Sequence, residues 1–154
     1  MRIAVVALLL AGLLFGAREV EVSAKKLEAD QNAQVAKFYG DVLFRSGDDT
    51  IRAQKAYIFF DKERKPVKFQ AVGEVRFELS HGQKSYRGRC RELVYFPKKR
   101  EYILIGDVYV EQLPDGKKII AQKVLLSLST GTLEVEGDPK KPVKLIFEIE
   151  EEGE

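Results

Sequence analysis

The chain has 154 residues, 45% of them hydrophobic, which is enough for one domain with a substantial core but short for two. Its 26 basic residues are spread among 24 acidic ones, for a formal net charge of +2, and this pattern argues against a nucleic-acid partner. One cysteine, Cys90, excludes an intramolecular disulfide and cysteine-based zinc or iron–sulfur sites.

The N-terminus has the features of an export signal. Arg2 precedes an uncharged apolar run over residues 3–15, and the next charge is Arg18. The run has 13 residues (15 − 3 + 1), short of the ~20 that a membrane-spanning helix needs. We therefore predict a cleaved signal peptide over residues 1–17. The bulky Phe15 close to the expected cleavage site leaves a retained membrane anchor as the alternative.

After Arg18 the dominant pattern is alternation of apolar and polar residues, which is typical of strands with one buried face. Clusters of turn residues separate short segments, so neighbouring strands are expected to pair in the antiparallel sense. No stretch carries a helical period. We predict an all-β domain over residues 18–147 and an acidic tail over 148–154. The first strand, 20–24, and the last, 143–149, are expected at the ends of the sheet.

A phrase of glycine, acid and valine recurs along this domain. Its copies are Gly40-Asp41-Val42, Gly73-Glu74-Val75 and Gly106-Asp107-Val108, and Gly137-Asp138 begins a fourth. Successive glycines in the three full copies are 33 residues apart (73 − 40 and 106 − 73). A second phrase, a small residue followed by two polar ones, lies between them and begins at Ala24, Ala53, Cys90 and Ala121. These spacings predict a repeated two-strand unit of about 33 residues whose strands bend sharply, with each glycine relieving crowding at the bend.

Alternation across the copies predicts one apolar face. The residues assigned to it are Ala36, Phe38, Val42, Phe44, Ile51, Ala53, Ala56, Ile58, Phe60, Phe69, Ala71, Val75, Phe77, Cys90, Leu93, Tyr95, Tyr102, Leu104, Val108, Val110, Ile119, Ala121, Val124, Leu126, Leu133, Val135, Leu145 and Phe147. Cys90 occupies the slot that alanine fills in the other copies, so we expect a small buried residue instead of a reactive thiol.

Motifs of catalysis are missing from the sequence. It contains no paired-histidine metal motif, serine elbow or phosphate loop. The single histidine, His81, lies in a predicted hairpin turn, and Asp48 and Asp49 follow Gly47 in another turn, where we expect solvated Asx-turn carboxylates. We predict neither an enzyme nor a bound metal or cofactor.

An export signal followed by these alternating phrases resembles the OstA-like family, and within it the periplasmic lipopolysaccharide-transport proteins of the LptA type. The matching stretches are 22–29, 40–42, 51–60, 73–75, 86–95, 102–110 and 119–128. Two differences from the family pattern are aspartate where asparagine is common, at Asp41 and Asp107, and Cys90 in place of alanine.

The resemblance implies a bent antiparallel β-jelly roll, open along one side, whose apolar interior holds the acyl chains of lipopolysaccharide. It also implies periplasmic domains that join end to end by strand addition, forming a bridge from the inner-membrane transport complex to the outer-membrane translocon. The predicted lipid-contact residues are Phe38, Val42, Phe44, Ile58, Phe77, Leu93, Tyr95, Leu104, Val108 and Val110. The competing interpretation of these residues is an ordinary packed core.

Three other functions stay open on the sequence alone. A membrane-anchored partner in the same pathway would share the fold and keep its N-terminal helix. An exported structural β-domain would polymerise through its edges without binding lipid. A carbohydrate-binding module would need exposed aromatic platforms, which is the weakest alternative because the chain has no tryptophan and most aromatic residues fall on the predicted inner face.

Overall fold

The structure, a computed structural model, describes residues 19–30 and 32–151. The predicted signal peptide and the end of the acidic tail lie outside the described residues. All regular structure in the described part is β-strand, as the alternation predicts. The strands are β1 (Glu21–Ser23), β2 (Lys26–Asp30), β3 (Val35–Ser46), β4 (Asp49–Phe60), β5 (Pro66–His81), β6 (Lys84–Phe96), β7 (Glu101–Leu113), β8 (Lys117–Ser127), β9 (Thr132–Glu136) and β10 (Lys144–Ile146).

The ten strands form one antiparallel sheet that does not close on itself. Strands β3 to β8 follow one another in chain order, each paired with the next through a hairpin. At one edge β1 and β2 both pair with β3, and at the other β9 and β10 both pair with β8. The sheet therefore ends in two interrupted edge strands, and the first and last strands lie at its ends as predicted.

A line of β-bulges crosses the sheet where the glycine phrases lie. In β5, Gly73 and Glu74 have φ of 88° and 46°, and Gly106 and Asp107 in β7 have φ of 83° and 46°. Each such pair faces a single residue of the next strand, which for Gly73 and Glu74 is Arg91. The extra residue bends the strand, and glycine supplies the left-handed conformation that such a bulge requires.

The bulge line divides each long strand into two segments and the sheet into two halves. We call half A the strands β1 and β10 together with the segments 42–46, 49–53, 75–81, 84–90, 108–113 and 117–121. We call half B the strands β2 and β9 together with the segments 35–39, 55–60, 66–72, 92–96, 101–105 and 123–127.

Polar side chains cover the bulges on the outer face. Gln54 lies over Gly73, and its Nε2 donates to Glu74 Oε2 at 3.1 Å. Arg91 lies over Gly106 in the same way, with its Nε 3.7 Å from Asp107 Oδ2. The second phrase of the repeat thus supplies the side chain that covers the glycine of the first. This contact explains why the two phrases recur together.

The inner faces of both halves form one hydrophobic core. Ala56, Ile58, Val75 and Val108 have no measurable exposure, and Phe38, Phe77 and Leu104 are 3% exposed. Apolar side chains at this density are the main stabilising contribution to a domain of this size.

Three residues assigned to the inner face from the sequence are exposed. Leu133 and Leu145 continue the inner face by register, opposite Leu126 and Ile119. They are 44% and 58% exposed because no strand of the described part of the chain pairs beyond β9 and β10. Phe147 lies beyond the last strand and is 52% exposed. The predicted strand over 143–149 was too long, since pairing with β8 extends only over Lys144–Ile146.

The prediction for the turn between β3 and β4 was wrong for one of its two aspartates. Asp48 is exposed as expected, but Asp49 is 9% exposed, and its Oδ1 accepts a hydrogen bond from the Ser80 amide of the neighbouring strand at 2.8 Å. Asp49 therefore ties β4 to β5 instead of facing solvent. His81 is exposed and ends β5 beside the Gly82 turn, as predicted.

Candidate functional site

The apolar inner face is the candidate functional site, and cross-strand register arranges it in rows that run from one edge of the sheet to the other. Half A contributes the row Val22, Phe44, Ile51, Phe77, Gly88, Val110, Ile119 and Leu145. Half B contributes the row Leu27, Phe38, Ala56, Ala71, Leu93, Leu104, Val124 and Val135. A second row of half B is Ala29, Ala36, Ile58, Phe69, Tyr95, Tyr102, Leu126 and Leu133.

The structure places all ten predicted site residues on this inner face. Phe44, Phe77 and Val110 lie in the row of half A, while Val42 and Val108 lie beside the bulge line. The remaining five are divided between the two rows of half B. Nine are buried and Tyr95 is half-buried. Contact with lipid is a separate question and stays a prediction.

Aromatic side chains join the two halves. The ring of Phe44 in half A meets Phe69 of half B edge to face, with 5.9 Å between centroids. Phe69 lies 6.1 Å from Tyr95, which stacks on Tyr102 at 4.4 Å. The inner faces of half A and half B are therefore in contact where these four aromatic rings lie.

Two small apolar cavities lie between the halves. One, of about 60 Å³, is lined by Phe44, Phe69, Tyr95 and Tyr102 among others, and also by Val20 from the N-terminal segment. The other, of about 30 Å³, lies on the far side of Tyr102 near Phe77. Since a cavity needs ~10–15 Å³ of such volume to hold one water molecule, each holds only a few water molecules and is too small for an acyl chain. Uptake of one requires the halves to separate or their side chains to rearrange.

Two buried polar residues line the larger cavity, and the sequence analysis did not identify them as part of the inner face. They are Ser46 and Asp49. Ser46 is 9% exposed, and its Oγ has no hydrogen-bond partner in the described part of the chain. A buried hydroxyl of this kind is uncommon. It gives this largely apolar cavity a polar group without a partner among the described residues.

Other inner-face residues were missed by the sequence analysis. Leu79, 5% exposed, and Tyr86 extend half A toward the hairpin turn and line the smaller cavity. The alternation of Val75 and Phe77 continues to Leu79, so this residue was predictable. Tyr86 pairs with Leu79 across β5 and β6, and only the register reveals that it faces the core.

Cys90 is buried, as the sequence analysis expected. Burial raises the pKa of its thiol from 9.0 to about 12, and the thiol donates to the Glu92 carbonyl oxygen at 3.3 Å. Such a thiol is unreactive at neutral pH. Within residues 19–30 and 32–151 there is no group of three metal-ligating side chains and no helix long and apolar enough to cross a membrane.

Comparison of the sequence with protein-family models identifies the family of this chain. Residues 21–132 match the family described as LptA/(LptD N-terminal domain) LPS transport protein, where LPS is lipopolysaccharide. The match spans 112 residues (132 − 21 + 1), more than half of the chain. The chain belongs to this LptA/LptD N-terminal domain family. The OstA-like resemblance deduced from the repeated phrases is thereby confirmed.

The fold of the LptA/LptD family member described here has a close counterpart among solved structures. LptH from Pseudomonas aeruginosa, described as the LptA-homologous periplasmic component of the conserved lipopolysaccharide transport device, superposes with a TM-score of 0.73. The alignment covers 84% of this chain and 95% of LptH at 17% sequence identity. The predicted all-β jelly-roll class is confirmed. A comparison with curated protein sequences finds no match.

Proposed function

We propose that this protein is a periplasmic lipopolysaccharide-binding transport protein without catalytic activity. Its apolar interior shelters the acyl chains of lipid A, and copies joined end to end by strand addition bridge the inner and outer membranes. The observation that carries the proposal is the apolar inner face, whose rows run unbroken across the strands and end at the C-terminal edge in the exposed Leu133 and Leu145, in a chain of the LptA/LptD N-terminal domain family.

The hydrophobic effect gives this interior its capacity for lipid. Each methylene moved from water to an apolar environment is worth ~0.8 kcal/mol, so one acyl chain of twelve carbons gains on the order of 10 kcal/mol. That gain is large enough to offset separation of side chains that pack against one another between the two halves.

The edges support assembly in one direction. Strand β10 pairs with β8 over only three residues. Its Leu145 and Ile146, and Phe147 directly after it, are about half exposed. Backbone groups of an edge strand can pair with a strand of another chain. Contact between the C-terminal edge of one copy and the N-terminal edge of the next is heterologous, so it produces open filaments. In such a filament the apolar rows of successive copies would be continuous.

A second candidate function is a structural domain that polymerises without lipid. The close contact of the two halves, with cavities of only about 60 and 30 Å³, favours it. The membrane-anchored partner of the pathway is a further alternative. It differs in the N-terminal segment, which lies outside the described residues, and N-terminal sequencing of protein from a periplasmic extract distinguishes the two.

The test is native mass spectrometry of protein purified from a periplasmic extract. The wild-type protein should carry lipopolysaccharide. Leu133→Glu should reduce the bound fraction severalfold, because this change places a charge at the uncovered end of an inner row, where the residue is 44% exposed and the fold tolerates it. Ile105→Glu is the matched control, since Ile105 is 38% exposed on the outer face.

Lipid-free wild-type protein, even after incubation with lipopolysaccharide, contradicts the lipid proposal and supports the structural alternative. Equal loss of lipid in both variants shows that the interior is not the site.

A further inference from the structure

The outer face of half A carries arginines in cross-strand register. Arg52 of β4 is directly opposite Arg76 of β5, and Arg76 is directly opposite Arg89 of β6. Neighbouring strands are ~4.8 Å apart, so three guanidinium groups originate within ~10 Å of sheet. We call these three residues the arginine row. All three are exposed and point away from the core.

Like charges directly opposite each other destabilise a sheet. Few of the described residues offset this repulsion in the arginine row. No carboxylate lies within ion-pair distance of the arginine row among the described residues. Arg89 instead lies over the ring of Tyr109, with 4.8 Å to the centroid, a contact that orients its guanidinium group. The arginine row thus keeps guanidinium donors that no described carboxylate engages in an ion pair.

The arginine row lines an open depression on the outer face, with a volume of about 480 Å³. Arg87 and two carboxylates, Glu78 and Glu111, also line it, and Arg87 Nε pairs with Glu111 Oε1 at 3.0 Å. Four arginines against two glutamates give a local charge of +2 (4 − 2). Thr50 and Tyr109, which carry hydroxyl groups, also line it, and Phe77 and Gly88 complete the lining.

The choice of arginine is specific to this half of the sheet. In the described strands, every arginine lies in half A or on the bulge line, while the outer face of half B carries lysine at Lys37, Lys55, Lys68 and Lys123. Lysine meets the need for a soluble surface equally well. Arginine differs because its planar fork binds phosphate oxygens in a bidentate fashion.

We propose that the arginine row is a binding site for a phosphate monoester, separate from the apolar interior. Three forks presented side by side from adjacent strands can supply several donors to the oxygens of one dianionic phosphate, and the depression is open enough for a phosphorylated sugar to reach them. The sugar phosphate is either free or the headgroup of a lipid. The inference does not depend on lipid in the interior, because the two faces are on opposite sides of the sheet.

The test is isothermal titration calorimetry of the full chain with glucose 1-phosphate, with glucose as the uncharged control. The phosphate ester should bind and glucose should not. Arg76→Gln removes the central guanidinium and should weaken binding about tenfold or more, the effect of losing hydrogen bonds to a charged group. Arg76→Lys keeps the charge but not the fork, so it should weaken binding to a smaller extent.

Lys55→Gln is the matched control, because Lys55 is exposed on the outer face of β4 as Arg52 is, but on the far side of the bulge line. It should change the affinity less than twofold. A second arm measures co-sedimentation with phosphatidylcholine vesicles that contain phosphatidic acid. Binding in either arm that depends on Arg76 supports the proposal and identifies the source of the phosphate. Absence of binding in both arms, or equal losses in Arg76→Gln and Lys55→Gln, overturns it.

Discussion

Phe44 and Phe69 meet edge to face with ring centroids 5.9 Å apart, although they lie on opposite halves of the bent sheet. Phe44 points inward from β3 and Phe69 from β5, and the bulge line separates them. Aromatic pairs in this geometry contribute ~0.5–1.5 kcal/mol beyond the area that they bury. Lipid entering between the halves would have to replace this contact with an equally apolar one. The acyl chain of a lipid satisfies that condition and a water-soluble ligand does not.

The first prediction concerns Gly88, where close approach and not backbone conformation requires glycine. A Cβ at this position would collide with the Tyr109 carbonyl oxygen and lie 3.0 Å from the ring of Phe77. Gly88→Ala should lower the free energy of unfolding by about 2–3 kcal/mol, the effect of overpacking. Urea denaturation measures it.

The control for this prediction is Gly116→Ala. Gly116 has φ of 78° and nothing within 4 Å of its added Cβ, so only backbone strain opposes the change, at about 1 kcal/mol. If Gly88→Ala proves no more destabilising than Gly116→Ala, the packing described around Phe77 is wrong.

A second prediction tests the buried aspartate. Asp49→Ala should destabilise the protein by about 2 kcal/mol, because the Ser80 amide would lose its charged acceptor at 2.8 Å. The neighbouring exposed Asp48 is the control, and its replacement by alanine should change the stability by less than about 0.5 kcal/mol. Thermal unfolding of both variants distinguishes them. Equal effects would mean that Asp49 faces solvent, as the sequence first indicated.

A third prediction concerns the pH dependence caused by Cys90. Burial raises its pKa from 9.0 to about 12, so the folded protein favours the neutral thiol. This contribution to stability is complete below pH 9.0 and is lost as the pH rises toward about 12. Wild-type protein should therefore lose stability relative to Cys90→Ala over that range. Urea denaturation of both proteins at each pH measures the difference in their free energies of unfolding, and the effects of other titrating groups cancel in this difference. A difference that stays constant with pH would contradict burial of the thiol.

How far the sequence predicts this structure depends on the physical origin of each feature. The repeat of 33 residues and the alternation of Val75 and Phe77 determine the fold class, since both reflect which face of a strand is buried. The position of the bend follows from Gly73 and Gly106, whose left-handed conformation disfavours other residues. These features are local in the chain, so a single sequence reveals them.

Features that depend on neighbouring strands were not predictable. Asp49 was assigned to solvent because its turn is polar, whereas its burial results from Ser80, 31 residues away. Leu145 alternates as a buried residue would, yet it is 58% exposed because the sheet ends there. The arginine row was equally hidden, since its three members belong to three strands and only register brings them together.

A fourth prediction concerns assembly. Deleting residues 143–154 should leave a folded monomer that still binds lipid, because β10 contributes only three paired residues and all of them are exposed. Wild-type protein should associate as its concentration rises, since its C-terminal edge can accept the N-terminal edge of another copy. Light scattering over a concentration series measures both. Deleting only residues 148–154 keeps β10 and should preserve association. If wild-type protein stays monomeric over the whole concentration series, strand addition is the wrong mechanism.

The most direct test of the central claim, that the inner face holds lipid, is site-specific photo-crosslinking at Leu104 and Ile105 in cells that make lipopolysaccharide. These residues are adjacent in β7 but face opposite sides of the sheet, and both lie away from the arginine row. Leu104 is 3% exposed and Ile105 is 38% exposed, so random encounter would label Ile105 more. We predict the reverse, with lipopolysaccharide crosslinked at Leu104 and not at Ile105. Equal labelling, or labelling at Ile105 alone, would contradict it.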